Sequence, residues 1–283
     1  MKAIDVYNHL KSKGTWVNWN TSCDQFLFGD ENIEITGIAV SWMPSFRNLE
    51  QAVKEHCNLF ITHEPMYIGG RNQFDILVGG SIRDKSVIGH WEKYPNATVL
   101  DEDDVWIKKR EWLEQHQIVV MRCHDVWDDF PEIGIHGAWA KWLGFTGKPL
   151  QMVKFYEVHD VSNRTLGEVA TQISQHCESL GQQCIHIIGD LKQKVSRIAF
   201  GTGAITDYRL MRFELEADVL VTDDGTRLWE SGQWAVDSGV AVIVVNHATA
   251  EEPGMVALRK YLGEQFPSIK AITIRHGCLY QTL

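Results

Sequence analysis

The sequence contains no run of apolar residues that approaches the ~20 needed for a membrane-spanning helix. Residues 1–14 also lack the continuous apolar core of a secretion signal, and they have instead the pattern of a short amphipathic helix that ends near Gly14. These two absences argue against a membrane protein and an exported one. We therefore expect a cytoplasmic protein.

Paired cysteines and clustered positive charge are also missing. The six cysteines are spread singly along the chain, and none forms a Cys-x-x-Cys pair. Thioredoxin-like redox sites and zinc ribbons need such pairs, so neither is indicated. The net charge is −10 without a basic cluster, which argues against nucleic acid as a partner. A small ligand held by a few local groups stays compatible with this charge.

Two common enzyme motifs are absent as well. No Gly-x-Ser-x-Gly segment occurs, so an α/β-hydrolase would have no nucleophile. The glycine-rich segment 201–205 lacks the Lys-Ser/Thr pair of a P-loop and the third glycine of a dinucleotide site. Its backbone amides could still hold an anion in front of the next predicted helix.

The chain does contain a regular alternation of apolar runs and amphipathic stretches. Runs such as ITGIAVSW, NLFITH and VAVIVVNH are typical of buried strands, and each precedes or follows a segment with helical periodicity. The predicted helices lie at 1–14, 45–56, 104–117, 132–144, 165–181, 207–217, 226–237 and 252–266. This pattern predicts an α/β protein of two similar units, 1–148 and 149–283, with a boundary in the polar segment 146–165. We interpret the two units as one functional domain.

One buried-looking strand in each half of the chain ends in a histidine, and these are His63 and His247. Ligand sites in α/β sheets lie at the carboxyl ends of the strands. His63 and Glu64 also form half of the zinc-protease signature His-Glu-x-x-His, but Tyr67 stands where the second histidine is required. Because Pro65 follows a strand-like run rather than a helix, the zinc-protease interpretation is rejected.

Two further segments offer groups that bind metals. In NHATAEE, His247 and Glu251 are four residues apart and share one face if the segment is helical. The alternative is that Thr249 caps the helix, that the glutamates favour its N-terminal dipole and that the histidine is incidental. In RCHDVWDD, the candidates are His124, Asp125, Asp128 and Asp129. The alternative here is a solvated turn that leads into a helix.

These segments, in this order, resemble the motifs of the NIF-three-like family, the dinuclear metal centre hexameric proteins. Some members of that family are labelled GTP cyclohydrolase type-two-like. NLFITHEP is similar to the family's Thr-His-His-Pro stretch, with Glu64 in place of the second histidine. Residues 124–128 resemble its His-x-x-x-Asp motif, and residues 246–251 resemble its Gly-His-x-x-Thr-Glu motif. The resemblance spans roughly residues 35–280.

The resemblance implies an α/β fold in which two similar units with mixed sheets pack around a metal site. It implies metal ligands at His63, Asp128, His247 and Glu251, with the carboxylate of Glu64 as a further ligand. One or two divalent ions would be bound per subunit, and mixed imidazole and carboxylate ligands suit zinc, manganese or iron. The resemblance also implies a homohexameric ring. Residues 68–117 are longer than the family pattern, and we interpret them as a lid or a subunit contact.

Two functions are compatible with such a site. The first is a metal-dependent hydrolase of a small phosphorylated or nucleotide-like substrate, in which Glu251 or Glu64 bridges the ions or acts as the general base. The second is a non-catalytic metal-binding oligomer that serves assembly, metal handling or regulation. Because fold and site do not by themselves define a reaction, the sequence leaves both functions open.

Overall fold

The computed structural model describes residues 1–66, 104–153, 156–203, 210–225 and 228–283. Within these ranges the helices are α1 (Ala3–Lys13), α2 (Phe46–Lys54), α3 (Asp104–Gln115), α4 (Asp125–Asp128), α5 (Ile135–Trp142), α6 (Leu166–Glu178), α7 (Leu228–Ser238) and α8 (His247–Gln265). The strands in the same ranges are β1 (Phe26–Phe28), β2 (Ile38–Ser41), β3 (Leu59–Thr62), β4 (Val119–Arg122), β5 (Gln151–Val153), β6 (Tyr156–Thr165), β7 (His186–Ile188), β8 (Lys194–Phe200), β9 (Val219–Asp223), β10 (Ala241–Val245) and β11 (Ala271–Thr273).

The described residues divide into two compact units. The first unit comprises Met1–Val126 and Arg259–Ile274, and the second comprises Trp127–Leu258 and Arg275–Leu283. Each unit is therefore built from two separate stretches of chain. The boundary at residue 148 and the interpretation of both units as one functional domain stay predictions.

The first unit contains a five-stranded sheet in the order β1-β4-β3-β2-β11. Strands β4, β3, β2 and β11 run parallel to one another. Strand β1 lies at the edge and is antiparallel to β4. All residues of β2, β3 and β4 are buried, as expected for apolar parallel strands that are covered on both faces. The side chain of Ser45 accepts a hydrogen bond from the backbone N–H of Asn48 and so caps the start of α2.

The second unit contains a six-stranded sheet in the order β5-β6-β8-β9-β10-β7. The three central strands β8, β9 and β10 are parallel, and the remaining pairs are antiparallel. Helix α6 begins with a capping box, in which Thr165 and Glu168 each bind the other's backbone N–H. Both sheets are mixed, so the predicted α/β class with mixed sheets is confirmed.

The structure differs from the sequence-based prediction in the segment 146–165. This segment was predicted as a polar boundary, but it contains β5 and the ten-residue strand β6. The reason is that two polar residues of β6, Glu157 and His159, are buried and mask the strand pattern. The predicted helix 207–217 is represented by a π-helical stretch at Leu210–Glu214, and residues 207–209 lie outside the described ranges.

A second difference concerns the start of the last helix. Helix α8 begins at His247 rather than at residue 252, so the alternative interpretation, in which Thr249 caps the helix, is wrong. Instead, the carboxylate of Asp224 accepts hydrogen bonds from the backbone N–H of His247 (3.1 Å) and from the side chain of Asn246 (2.8 Å). An acceptor at this position satisfies a donor that the helix itself leaves unpaired.

The predicted helix 104–117 is confirmed as α3. The rest of the proposed insertion, with Gly69, Gly70, Gly79 and Gly80, lies outside the described residues. Among the described helices, none combines the length and the apolar character needed to cross a membrane.

Candidate metal centre

In the first unit, two neighbouring parallel strands end at the same edge of the sheet. Thr62 at the end of β3 is in register with Arg122 at the end of β4. His63 follows β3 and is fully buried, and His124 follows β4 after one intervening residue. The two imidazole rings stack with their centroids 4.3 Å apart and an interplanar angle of 13°. The predicted strand-end position of His63 is therefore confirmed, and His124 is its immediate neighbour.

The orientation of the His63 ring is defined by a backbone carbonyl. Nδ1 of His63 lies 3.2 Å from the carbonyl oxygen of Cys123. Because a carbonyl oxygen can only accept, Nδ1 carries the proton and Nε2 carries the lone pair. This is the tautomer in which a histidine binds a metal through Nε2, with a second group fixing the ring.

Glu64 is held by an ion pair inside the first unit. Its Oε2 lies 3.1 Å from Nη2 of Arg122, while Nε of the same arginine donates to the carbonyl oxygen of His63 over 2.9 Å. Arg122 is 3% exposed, so this interaction is largely screened from water. Arg122 could not be predicted from the sequence as a partner of Glu64. The carboxylate is therefore oriented, and partly neutralised, by a cation of the protein itself.

A thiol and a further carboxylate lie beside His124. Oδ1 of Asp125 is 3.0 Å from Nδ1 of His124 and 3.3 Å from Sγ of Cys23. Burial alone would raise the pKa of the Asp125 carboxyl, but hydrogen bonds from His124, Ser22 and the backbone of Cys23 hold that pKa below its ordinary value. Burial raises the pKa of the Cys23 thiol.

In the second unit, the predicted pair His247 and Glu251 lies at the start of α8. Nε2 of His247 is 3.0 Å from Oε1 of Glu251, one helical turn further on. Glu251 is 3% exposed, so its carboxylate is almost completely buried. The shared helix face that the spacing predicted is confirmed.

A residue that the sequence analysis did not select, Asp223, also belongs to this group. It is the last residue of β9, it is fully buried, and its Oδ2 is 4.0 Å from Nε2 of His247. The hydroxyl of Thr202 lies 3.4 Å from both Asp223 Oδ2 and Glu251 Oε1. Burial raises the pKa of Asp223 to about 7, and the negative charge of Glu251 adds to this rise, whereas His247 opposes it.

The backbone around Asp223 is arranged as a set of donors. Its carboxylate accepts hydrogen bonds from the N–H groups of Gly203 and Gly225. The glycine-rich segment 201–205 was interpreted as a possible anion site, and the structure shows that the amide of Gly203 donates to this carboxylate. The only sequence signal for Asp223 was its position at the end of a strand, the same signal that identified both histidines.

Asp128 lies at the end of α4 and is half-buried in the second unit. Burial and the neighbouring charge of Asp128 raise the pKa of Asp129 to about 6. The carboxylate of Glu252 accepts hydrogen bonds from the backbone N–H groups of His276 (3.1 Å) and Gly277 (3.2 Å). Glu252 therefore fixes the C-terminal segment rather than belonging to the predicted ligand set.

Comparison with solved structures places this fold among known proteins. Staphylococcus aureus hypothetical protein SA1388 is 20% identical, with a TM-score of 0.71 over 100% of this chain and 99% of that one. HcgD from Methanocaldococcus jannaschii, solved in its reduced form, is 17% identical, with a TM-score of 0.66 over 96% and 97% of the two chains. The protein ybgI, described as of unknown function, is 16% identical, with a TM-score of 0.66 over 97% and 98%. At these identities the likeness concerns the fold.

The sequence profile of Duf34/NIF3 (NGG1p interacting factor 3) matches residues 97–277, which is well over half of the chain. The chain belongs to the Duf34/NIF3 family. No functionally curated protein matches it. The match to the NIF3 profile includes Asp128, His247 and Glu251, whereas His63 and Glu64 precede it.

Proposed function

We propose that this NIF3 protein binds one or two divalent metal ions and hydrolyses a small phosphorylated or nucleotide-like substrate. The proposed metal ligands are His63, Glu64, Asp128, His247 and Glu251. The observation that carries the proposal is the group at the start of α8, where two buried carboxylates, Asp223 and Glu251, accompany a single imidazole. Buried negative charge of this kind calls for a compensating cation.

The available donors fit a divalent ion of the first transition series. Imidazole nitrogen and carboxylate oxygen are ligands that zinc, manganese and iron accept. The hydrogen bond from Nδ1 of His63 to the Cys123 carbonyl orients the ring, so Nε2 is the nitrogen that would coordinate. A bound ion of this type lowers the pKa of a coordinated water and so supplies a nucleophile near neutral pH.

Residues of the protein itself would supply the bridging carboxylate, the general base and the positioning contacts. We propose Glu251 as the bridging carboxylate or general base, because it is buried and lies 3.0 Å from His247 in the proposed ligand set. Glu64 is the corresponding candidate in the first unit, where Arg122 orients its carboxylate through the 3.1 Å contact. Thr202 contacts both buried carboxylates of the second unit and would position them.

The proposal is tested by metal analysis of protein purified without chelator, followed by a screen of phosphoester, nucleotide and cyclic-amide substrates. We expect bound zinc, manganese or iron, and we expect His247→Ala to lose metal and to reduce hydrolysis by at least about 100-fold. The matched control is His186→Ala, since His186 is an exposed histidine in β7 of the same unit. Metal-free protein whose properties do not change in His247→Ala would refute the metal site itself.

A second function is favoured by the pairing of Glu64 with Arg122. A carboxylate already bound to an arginine is a weaker ligand, which fits a protein that binds metal for assembly, metal handling or regulation without catalysis. Stoichiometric metal together with an inactive substrate screen would support this function over the hydrolase. Arg122→Gln gives a further test of this second function. Release of the Glu64 carboxylate from the arginine should strengthen metal binding.

We also propose a homohexameric assembly, which the family resemblance implied. Light scattering on the full chain should give a mass near six times the 32.3 kDa subunit. A mass near that of one subunit would refute the ring.

A further inference from the structure

A thiol, an imidazole and a carboxylate converge in the first unit and are not part of the ligand set proposed above. They belong to Cys23, His124 and Asp125, whose candidate ligand atoms all lie within 4.8 Å of one another. Oδ1 of Asp125 is 3.3 Å from Cys23 Sγ and 3.0 Å from His124 Nδ1. The ring of His124 stacks on His63, so this group adjoins the ligand set without sharing a residue with it.

The sheet brings these residues together. Because β1 is antiparallel to β4, the residues just before β1 lie beside the residues just after β4. The backbone N–H of Cys23 donates to Oδ2 of Asp125 over 3.0 Å, which ties one segment to the other. The three side chains are therefore positioned by strand pairing rather than by a mobile loop.

Asp24 fixes the backbone on the other side of the group. Its carboxylate is 5% exposed and accepts hydrogen bonds from the backbone N–H groups of His124, Asp125 and Val126. Side chains that hold the backbone of ligand residues in this way reduce the cost of ordering a metal site. The group is thus preorganised in the described structure.

Two of the three ligand separations, both measured from Asp125 Oδ1, are close to those of a coordinated zinc ion. Zinc bonds of about 2.3 Å to sulfur and about 2.0–2.2 Å to nitrogen and oxygen, at tetrahedral angles, place neighbouring ligand atoms about 3.3–3.7 Å apart. The observed values of 3.3 Å and 3.0 Å require movements of only a few tenths of an ångström. The side chains of His124 and Asp125 are 25% and 34% exposed, so an ion can reach them from solvent.

We propose that Cys23, His124 and Asp125 form a second metal site, with a thiolate ligand, that selects zinc over manganese and magnesium. Sulfur is the soft donor that favours zinc over those harder ions. On binding, the thiol proton leaves to solvent, and the imidazole proton that Nδ1 shares with Asp125 is exchanged through solvent for one on Nε2, so that Nδ1 can coordinate. Three protein ligands leave a fourth position for water or a ligand, as in zinc sites that are not purely structural.

The test uses the full chain after chelator treatment, with Co²⁺ as a spectroscopic substitute for zinc. A thiolate bound to Co²⁺ gives a charge-transfer absorption in the near ultraviolet that imidazole and carboxylate ligands do not give. We expect this absorption in the native sequence and its loss in Cys23→Ser. We expect it to persist in Cys184→Ser, which changes another half-buried cysteine, and in His247→Ala, which changes the separate ligand set.

A competition measurement gives the second readout. Cys23→Ser should lower zinc affinity by more than about 100-fold, since changes outside the ligand shell alone cost 10–100-fold, and it should leave manganese binding unchanged. Absence of the absorption in the native protein, or its persistence in Cys23→Ser, would overturn this site. Either result leaves the ligand set around His63 and His247 standing, because that set contains no sulfur. Loss of the absorption in His247→Ala would refute the independence of the two sites.

Discussion

Asp24 is a buried carboxylate whose two oxygens serve three backbone N–H groups, those of His124, Asp125 and Val126. In Asp24→Asn, one oxygen becomes an NH₂ group that can only donate, so at least one of these buried N–H groups loses its acceptor. We expect the free energy of unfolding to fall by about 2–4 kcal/mol, measured by urea denaturation. The control Asp30→Asn makes the same change at an exposed position and should cost less than about 0.5 kcal/mol. Equal losses in the two variants would contradict the assigned role.

The pKa of Tyr280 can be used to test its contact with Asp224. Its hydroxyl donates to Oδ2 of Asp224, and this bond, followed by burial, raises the pKa of Tyr280 to about 12. The folded state therefore holds this proton more tightly than the unfolded state, in which the pKa is about 10. The contribution to stability is complete below pH 10 and is lost as the pH rises through about 12.

Phenolate absorbance in the ultraviolet is measured against pH for the native protein and for Tyr280→Phe. Subtraction of the two curves isolates the titration of Tyr280, which should have its midpoint near pH 12. Asp224→Asn should move that midpoint towards 10, because an amide cannot repel the phenolate as a carboxylate does. A difference curve centred at 10 in the native protein would show that the contact does not persist in solution.

At the scale of the element, α8 contains two glycines in contrasting surroundings. A Cβ added at Gly254 would overlap Ile135 Cδ1 and lie 2.9 Å from Ile135 Cα, whereas one added at Gly263 would meet nothing within 4 Å. Gly254→Ala should therefore destabilise the protein by about 1–3 kcal/mol through overpacking against α5. Gly263→Ala should stabilise it by up to about 1 kcal/mol, because alanine has the higher helix propensity. Thermal unfolding measures both effects: the melting temperature should fall in Gly254→Ala and rise in Gly263→Ala.

The strands that could be predicted from the sequence are those in which the buried residues are apolar. Strands β2, β3 and β10 are apolar on both faces, and all three were predicted. Strand β6 was missed because buried Glu157 and His159 disguise its pattern, and β1 was missed because it has only three residues. Sequence periodicity reports hydrophobicity, so a buried polar strand gives no signal.

The same limit applies to the candidate site. His63 and His247 were selected because each follows an apolar strand, and the structure places both as expected. Asp223 was not selected, because its complete burial depends on contacts with residues distant in sequence, which a single sequence does not reveal. The Arg122–Glu64 pair joins residues 58 positions apart, and a single sequence contains no pattern for such a partner.

At the scale of the whole molecule, metal binding should appear as a change in stability. A ligand that binds only the folded state stabilises it by about 2.7 kcal/mol at a free concentration of about 100 times its Kd. We therefore expect Mn²⁺ or Zn²⁺ to raise the melting temperature of chelator-treated protein in a concentration-dependent way. Asp223→Asn should require about 10–100-fold more metal for the same rise, since it removes one buried negative charge beside His247.

The exposed residue Asp237 supplies the control for this measurement, because Asp237→Asn changes the charge of the same unit outside the buried group. Its metal response should match that of the native protein. An identical response in Asp223→Asn would show that this carboxylate does not contribute to binding.

The last strand of the first unit has a consequence for the order in which the chain acquires its structure. Strand β11 pairs with β2, so the five-stranded sheet obtains its last strand from residues 271–273. The six-stranded sheet has all of its strands between Gln151 and Val245. On the ribosome, the N-terminal sheet is thus the later of the two to be completed, and until then β2 presents an open edge to other chains. A nascent chain of this protein would therefore need protection at the edge of β2 until β11 has been made.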